Sequence, residues 1–188
     1  MHRRHFLGLA GAGALGAGRI QLDDRFDQIS HLIETKMAEY RVTGVAFGLS
    51  KNGVSERRGF GITNIDNPQP VTPDTVFAIA SISKTVVGTA LMRLHDQGRI
   101  DVEAPVRQYL PDFRVGDAAA TEDVRIWHLM THTPGWEGQL GTPDRGPETL
   151  ANFIETLEDL PQLARPGEVW SYNNAGWGVA GRVLEVVT

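Results

Sequence analysis

The sequence predicts a protein of the α/β class in its α+β form, and three observations predict it. An apolar helical repeat runs over Asp23–Tyr40, a hairpin signal sits at Lys51-Asn52-Gly53, and further helical repeats follow from Thr85 to the end. Strands gathered early and helices gathered late favour a segregated arrangement over alternating βαβ units.

Each element has a local reason. Phe26, Ile29, Ile33 and Met37 recur at helical spacing, and Asp23 or Asp24 can serve as the cap, so Asp23 to Tyr40 reads as a helix. In VAFGLSKNGVSERRGFG two β-prone runs flank Asn52-Gly53, a dipeptide suited to the positive φ angles of tight turns; Val45 to Gly61 therefore reads as an antiparallel hairpin. The stretch ITNIDNPQPVTPDT is rich in Pro, Asn and Asp and reads as a surface connection. Beyond it Val86, Val87, Ala90, Leu91 and Leu94 form an apolar face closed by Gly98, which puts Ser81 at or near the N-terminus of a buried helix. Glu148 to Leu160 carries Leu150, Phe153, Ile154 and Leu157 on one face and reads as a packing helix, and Val179, Val183 and Val186 mark a last helix.

Composition narrows the function. With 41% apolar and 22% charged residues among 188, the chain has material for a core. A net charge of -5 with no basic block gives no electrostatic footprint for nucleic acid or an anionic membrane. Cysteine is absent, which excludes disulfides, thiol catalysis and thiolate metal sites and leaves the redox compartment open. The N-terminal MHRRHFLGLAGAGALGAG reads as an export signal over residues 1–18, because its apolar run is too short to span a bilayer. It resembles the twin-arginine type: Arg3 and Arg4 are followed by Phe6, Leu7 and a Gly-rich, weakly apolar middle. Residues 19–188 then form the functional domain, exported already folded.

The chemistry concentrates in two stretches. In FAIASISKT, Ser81 and Lys84 stand three apart, so on a helix they share a face with roughly 5 to 6 Å between Cβ atoms. A helix N-terminus stabilises developing negative charge, and a serine becomes a nucleophile when a neighbour accepts its proton, as a lysine of lowered pKa can. Alone, Ser-x-x-Lys is expected about once by chance in such a chain, with the serine as an N-cap and the lysine solvated. In PGEVWSYNNAGWGV, Tyr172 and Asn174 lie two apart after turn residues; beside Ser81 and Lys84 they offer a proton relay and an orienting amide. The competing reading is a tyrosine bonded to backbone with Asn174 as a cap or turn residue.

Together and in this order, FAIASISKT and, about ninety residues on, WSYNNAGWGVAG resemble the serine β-lactamase and penicillin-binding superfamily, in the branch of class C β-lactamases, DD-peptidases, D-aminopeptidases and related esterases. GRIDVEAPVRQYLP resembles the segment after the nucleophile helix of that branch, and IWHLMTHTPGW its L-L-T-H-T-S-G motif; the resemblance covers Leu22 to Thr188. It implies a five-stranded antiparallel sheet flanked by helices, with a mostly helical subdomain, and three of those strands are expected from further residues that this chain lacks. It also implies a serine hydrolase forming an acyl-enzyme on an amide, β-lactam or ester. Ser81 is then the nucleophile, Lys84 its proton partner, Tyr172 the second acid/base group and Asn174 the ligand of the substrate amide and of Lys84. Either Lys84 or Tyr172 could be the base, since coupled groups share their titration, and the Ser81 N–H would form half of an oxyanion hole. No cofactor or metal is implied, the partner is a small-molecule or peptide substrate, and the oligomeric state is not legible. The alternative within the superfamily is a non-catalytic penicillin-recognising or scaffolding relative.

Three departures qualify the resemblance. Pro134 replaces the serine of T-H-T-S-G, and Asn173 replaces the commoner serine of the tyrosine motif, a change expected to be tolerated. The Lys/His-Thr/Ser-Gly motif, whose strand supplies the other oxyanion donor, has no counterpart, and GWGVAGRVLEVVT ends inside a helical pattern. The chain is accordingly expected to be the N-terminal part of a longer protein, inactive and poorly folded alone, with an uncovered hairpin edge. His128 and His132 have zinc-helix spacing, but Leu129 stands where a metalloprotease has glutamate, which favours structural histidines. Trp127, Trp136, Trp170 and Trp177 read as core or cleft walls, with Trp136 and Trp170 flanking cleft segments.

Overall fold

The computed structural model describes residues 22–138, 146 and 149–188. The expected export signal, with Arg3 and Arg4, lies outside the described residues, as does Glu148. The fold is α+β, and the chain divides into two compact units, one ending at Phe77 and the other beginning at Ala78. No helix among the described residues is long and apolar enough to cross a membrane.

In the first unit, α1 (Leu22–Tyr40) packs on an antiparallel hairpin of β1 (Gly44–Lys51) and β2 (Val54–Gly61). Lys51 pairs with Val54, and Asn52 and Gly53 take φ values of 53° and 79°. Two successive positive φ angles match the twist of paired strands, which is why Asn-Gly specifies this turn. Phe26, buried on α1, lies 5.4 Å from the Phe47 ring of β1, and the Arg58 guanidinium of β2 sits 4.9 Å from the Phe26 centroid. Arg58 also donates to Asp27 and Ser30 at 3.1 and 3.0 Å, so one side chain of β2 holds α1 by stacking and by hydrogen bonds. The Pro-rich connection is largely exposed as expected, but Val71 within it is buried and its N–H bonds Gly61 O at 3.0 Å. This return leaves no room beside β2: a Cβ at Gly59 would lie 2.1 Å from Val71 O.

The second unit is helical: α2 (Ile82–Asp96), α3 (Ala118–Asp123), α4 (Ile126–Met130), α5 (Thr149–Glu155) and α6 (Asn174–Val187). Helix α6 is its axis, packing against α2, α4 and α5 with Ala175, Val179, Ala180 and Val183 fully buried. Leu91 and Leu94 of α2, Leu129 of α4 and Phe153 of α5 complete that core with Phe113 and Trp136 from the connecting segments.

Two expectations are corrected here. Helix α2 is not buried along its expected face: Leu91 and Leu94 are, but Val86 is 62% exposed. At about 100° per residue Val86 lies roughly a third of a turn from the Leu91–Leu94 direction, so the apolar stripe is wider than the surface that covers it. Val186 of α6 is exposed although it lies nearly in line with buried Val179, seven residues before it. The expected helix to Leu160 stops at Glu155 and tightens into a 3₁₀ turn over Thr156–Asp159, where the Thr156 hydroxyl donates to Phe153 O at 2.7 Å. Trp136, read as core or cleft wall, is buried in the core.

His128 is built into the start of α4. Its Nδ1 accepts the Arg125 N–H at 2.9 Å, closing a capping box at that helix, and burial, followed by the nearby Arg125 charge, lowers its pKa to about 4. An unfolded histidine titrates near 6.5, so between these values the unfolded chain binds a proton that the folded one refuses. Stability of the full-length gene product should therefore fall as pH drops from about 6.5 towards 4, and His128→Asn, which keeps an acceptor for Arg125, should flatten that fall. Urea midpoints across this range check it; an equal slope in the variant contradicts it. In the hairpin, Gly59→Ala should destabilise by about 1–3 kcal/mol, because its Cβ meets backbone, while Gly48→Ala, whose nearest neighbour is 3.7 Å away, should be nearly neutral in the same melts.

Candidate active site

The backbone before α2 is arranged so that Ser81 does not cap it. Ala80 adopts a left-handed φ of 43°, uncommon without glycine, and Ser81 follows in right-handed geometry at the N-cap position. The first helical N–H groups are satisfied by backbone: Ile82 bonds Ile79 O, Ser83 bonds Ala80 O and Lys84 bonds Ser81 O. The Ser81 hydroxyl makes no cap bond and is free to face other side chains. Among the described residues, no hydrogen bond engages the Ser81 N–H either, leaving it available at the positive end of a helix of 15 residues.

The four residues singled out in the sequence meet at this point. Lys84 Nζ donates to Ser81 Oγ at 3.2 Å and to Asn174 Oδ1 at 2.7 Å, and the Tyr172 hydroxyl lies 2.5 Å from Ser81 Oγ. Lys84 Nζ also stands 5.0 Å from the Tyr172 ring centroid. The hydrogen bond with Ser81, then that with Lys84, pulls the Tyr172 pKa below the usual 10.0, since both favour the phenolate.

Asn173 sets the placement of its two neighbours. It is fully buried; its Oδ1 accepts the Gly176 N–H at 2.7 Å and its Nδ2 donates to Trp136 O at 2.8 Å. The cap that the sequence allowed for Asn174 thus belongs to Asn173, and Asn174 occupies the first helical position with its amide turned to Lys84. A carboxamide both accepts and donates, so one side chain serves the helix end and the Trp136 carbonyl. Pro134, at the other departure, is buried beside Gly176.

Hollows open on both sides of the Ser81–Lys84 pair. One, of about 710 Å³, runs along α2 past Thr85, Gly88 and Met92, walled by Met130, His132 and Trp177, with Arg93 and Asp96 at its rim. The other, of about 400 Å³, is bounded by Ala80, Leu150, Phe153 and Gly178. Leu150 and Phe153 read as ordinary packing in the sequence, because an apolar stripe at helical spacing looks the same over a core and beside a cleft. His132, another residue whose part the sequence did not reveal, lines the first hollow, and burial, then the Lys84 charge, holds its imidazole below the usual 6.5. Trp170 is 65% exposed, its ring edge-on to His132 at 6.0 Å.

Comparison with known proteins agrees with this architecture. The sequence profile of the family described as Beta-lactamase matches residues 29–188. The chain is 31% identical over 166 residues to penicillin-binding protein 4 of Amycolatopsis lactamdurans, covering 88% of this chain and 42% of that protein. It is 33% identical over 184 residues to esterase EstB of Burkholderia gladioli, covering 89% of this chain and 45% of that one. The crystal structure of D-alanine carboxypeptidase AmpC from Burkholderia cenocepacia superposes with a TM-score of 0.70 at 29% identity, over 88% of this chain and 44% of the other. The chain thus spans less than half the length of these relatives. With 160 consecutive residues matched by one profile and the same fold in the solved structure, the chain belongs to the Beta-lactamase family.

Proposed function

We propose that this chain carries the nucleophile-bearing part of a serine hydrolase, acting through an acyl-enzyme on Ser81 and taking an amide, β-lactam or ester as substrate. The observation that carries the reading is the convergence on Ser81 Oγ of the Tyr172 hydroxyl at 2.5 Å and Lys84 Nζ at 3.2 Å. Convergence of this kind is what a serine needs to become nucleophilic.

Tyr172, its pKa drawn below 10.0, takes the Ser81 proton as a phenolate while Oγ forms a bond to the substrate carbonyl carbon. Lys84 steadies the developing charge on both oxygens, and the Ser81 N–H donates to the carbonyl oxygen as it becomes an oxyanion. Collapse of the tetrahedral adduct expels the amine or alcohol, which receives the proton from Tyr172. A water molecule, activated by the same phenolate, then releases the acid and restores Ser81. Asn174 orients Lys84 through its Oδ1 and presents its amide nitrogen to the substrate. Relatives named as a penicillin-binding protein, an esterase and a D-alanine carboxypeptidase support an acyl substrate and leave its class open. The paired Arg3 and Arg4 support export of the protein through the twin-arginine route.

In the full-length gene product, fluorescent penicillin or a nitrophenyl ester should give an acyl adduct by intact mass that disappears in Ser81→Ala; an adduct that persists places the nucleophile elsewhere. Tyr172→Phe should slow acylation by about 10²- to 10⁴-fold, the usual worth of a general base. The base must be unprotonated, so kcat/KM should fall as pH drops through the Tyr172 pKa, below 10.0, and Tyr172→Phe should lose that limb of the profile. An unchanged limb in the variant assigns the base to another group.

A further inference from the structure

We propose that His132 is a positioning residue that clamps three successive residues, Ser171, Tyr172 and Asn173, and thereby aims the Tyr172 hydroxyl at Ser81. The three grips are distinct. The His132 carbonyl accepts the Ser171 N–H at 2.9 Å, its ring stacks on the Tyr172 ring with centroids 4.6 Å apart and planes 25° from parallel, and its Nδ1 accepts the Asn173 N–H at 2.8 Å. One residue reaches all three because its backbone is left-handed, with φ of 62°, a conformation that costs energy in any residue but glycine and that clusters where geometry is functional.

The need for such a clamp follows from the exposure of the tyrosine. Tyr172 is 45% exposed, so packing alone fixes its ring poorly, whereas proton transfer needs its oxygen held within about 0.5 Å of one position. The imidazole face supplies the missing wall. The same ring reaches one residue further: by holding the Asn173 N–H it braces the segment that leads into Asn174 and its bond to Lys84. The next residue of this motif continues the grip, since Thr133 O accepts the Gly167 N–H at 2.8 Å at the start of the same segment. Both ring nitrogens meet donors, Nδ1 the Asn173 N–H at 2.8 Å and Nε2 the Trp177 indole N–H at 3.3 Å; a neutral ring accepts at one nitrogen, and the shorter bond makes Nδ1 that acceptor. It touches neither Ser81 nor any reacting atom in the mechanism above, and its effect passes through Tyr172 and Asn173.

This inference rests on the reading of Ser81 and Tyr172 as the reacting pair, and the test separates the two. In the full-length gene product, His132→Ala, His132→Asn and His132→Phe are compared with wild type and Ser81→Ala in nitrophenyl acetate hydrolysis and thermal melting. Asparagine keeps an acceptor for Asn173 and tolerates a left-handed backbone but has no ring; phenylalanine keeps the ring and loses the acceptor. His132→Ala should lower kcat about tenfold or more with KM within about twofold, and each conservative variant should recover part of the loss, as expected when orientation and not substrate binding is lost. A kcat within about twofold of wild type in His132→Ala, or a raised KM at unchanged kcat, with Ser81→Ala inactive, overturns the clamp and leaves the Ser81 reading standing. Turnover surviving in Ser81→Ala overturns both. Should His132→Ala fail to fold, His132→Asn decides: wild-type kcat without the ring overturns the proposal, and a loss of about tenfold at unchanged KM supports it.

Discussion

The placement of the site depends on the buried side chain of Asn173. Its carboxamide joins the N-terminus of α6 to the Trp136 carbonyl, and because Tyr172 and Asn174 are its immediate neighbours, fixing it fixes them. Buried polar groups are costly when unpartnered, about 1–3 kcal/mol each, so neither bond can be given up without exposing the loss on the other partner. A phenol before the cap and an amide after it leave the chain in different directions. One reaches Ser81 and the other Lys84.

Helices α2 and α6 then determine each other's register at the chemistry. Lys84 comes from the first turn of α2 and Asn174 from the first turn of α6, and the 2.7 Å bond between them crosses 90 residues of sequence. The first turns of the two helices meet at this bond, and the Ser81 N–H at the start of α2, unengaged among the described residues, is suited to charge that develops on an oxygen. Two left-handed residues other than glycine, Ala80 and His132, flank it. Each stands next to or against a group in the proposed mechanism, and the rigid core around Leu91, Leu129 and Val179 is what can hold such strain in place.

Much of this was legible in the sequence, for identifiable reasons. The helix at Tyr40 and the Asn-Gly hairpin follow from strong local signals, and the three-residue spacing of Ser81 and Lys84 follows from helix geometry once the repeat after Thr85 is seen. What was not legible depends on tertiary cover. Val86 and Leu91 both belong to the wide apolar stripe of α2, and how much of that stripe is covered depends on the packing around it: one is exposed and the other buried. Leu150 and Phe153 show an apolar stripe without showing that it borders a hollow. Of two adjacent asparagines, only the structure tells which is the cap. His132 lay in a motif noticed for its resemblance, but its stack on Tyr172 joins residues forty apart and has no local signature.

The central claim is that Ser81 is the atom donor to the acyl bond. The most direct measurement is peptide mapping by tandem mass spectrometry of the full-length protein after brief reaction with a penicillin. The account predicts the added mass on the peptide containing FAIASISKT, with fragment ions assigning it to Ser81. An adduct localised to Lys84, Tyr172 or any other residue would contradict it.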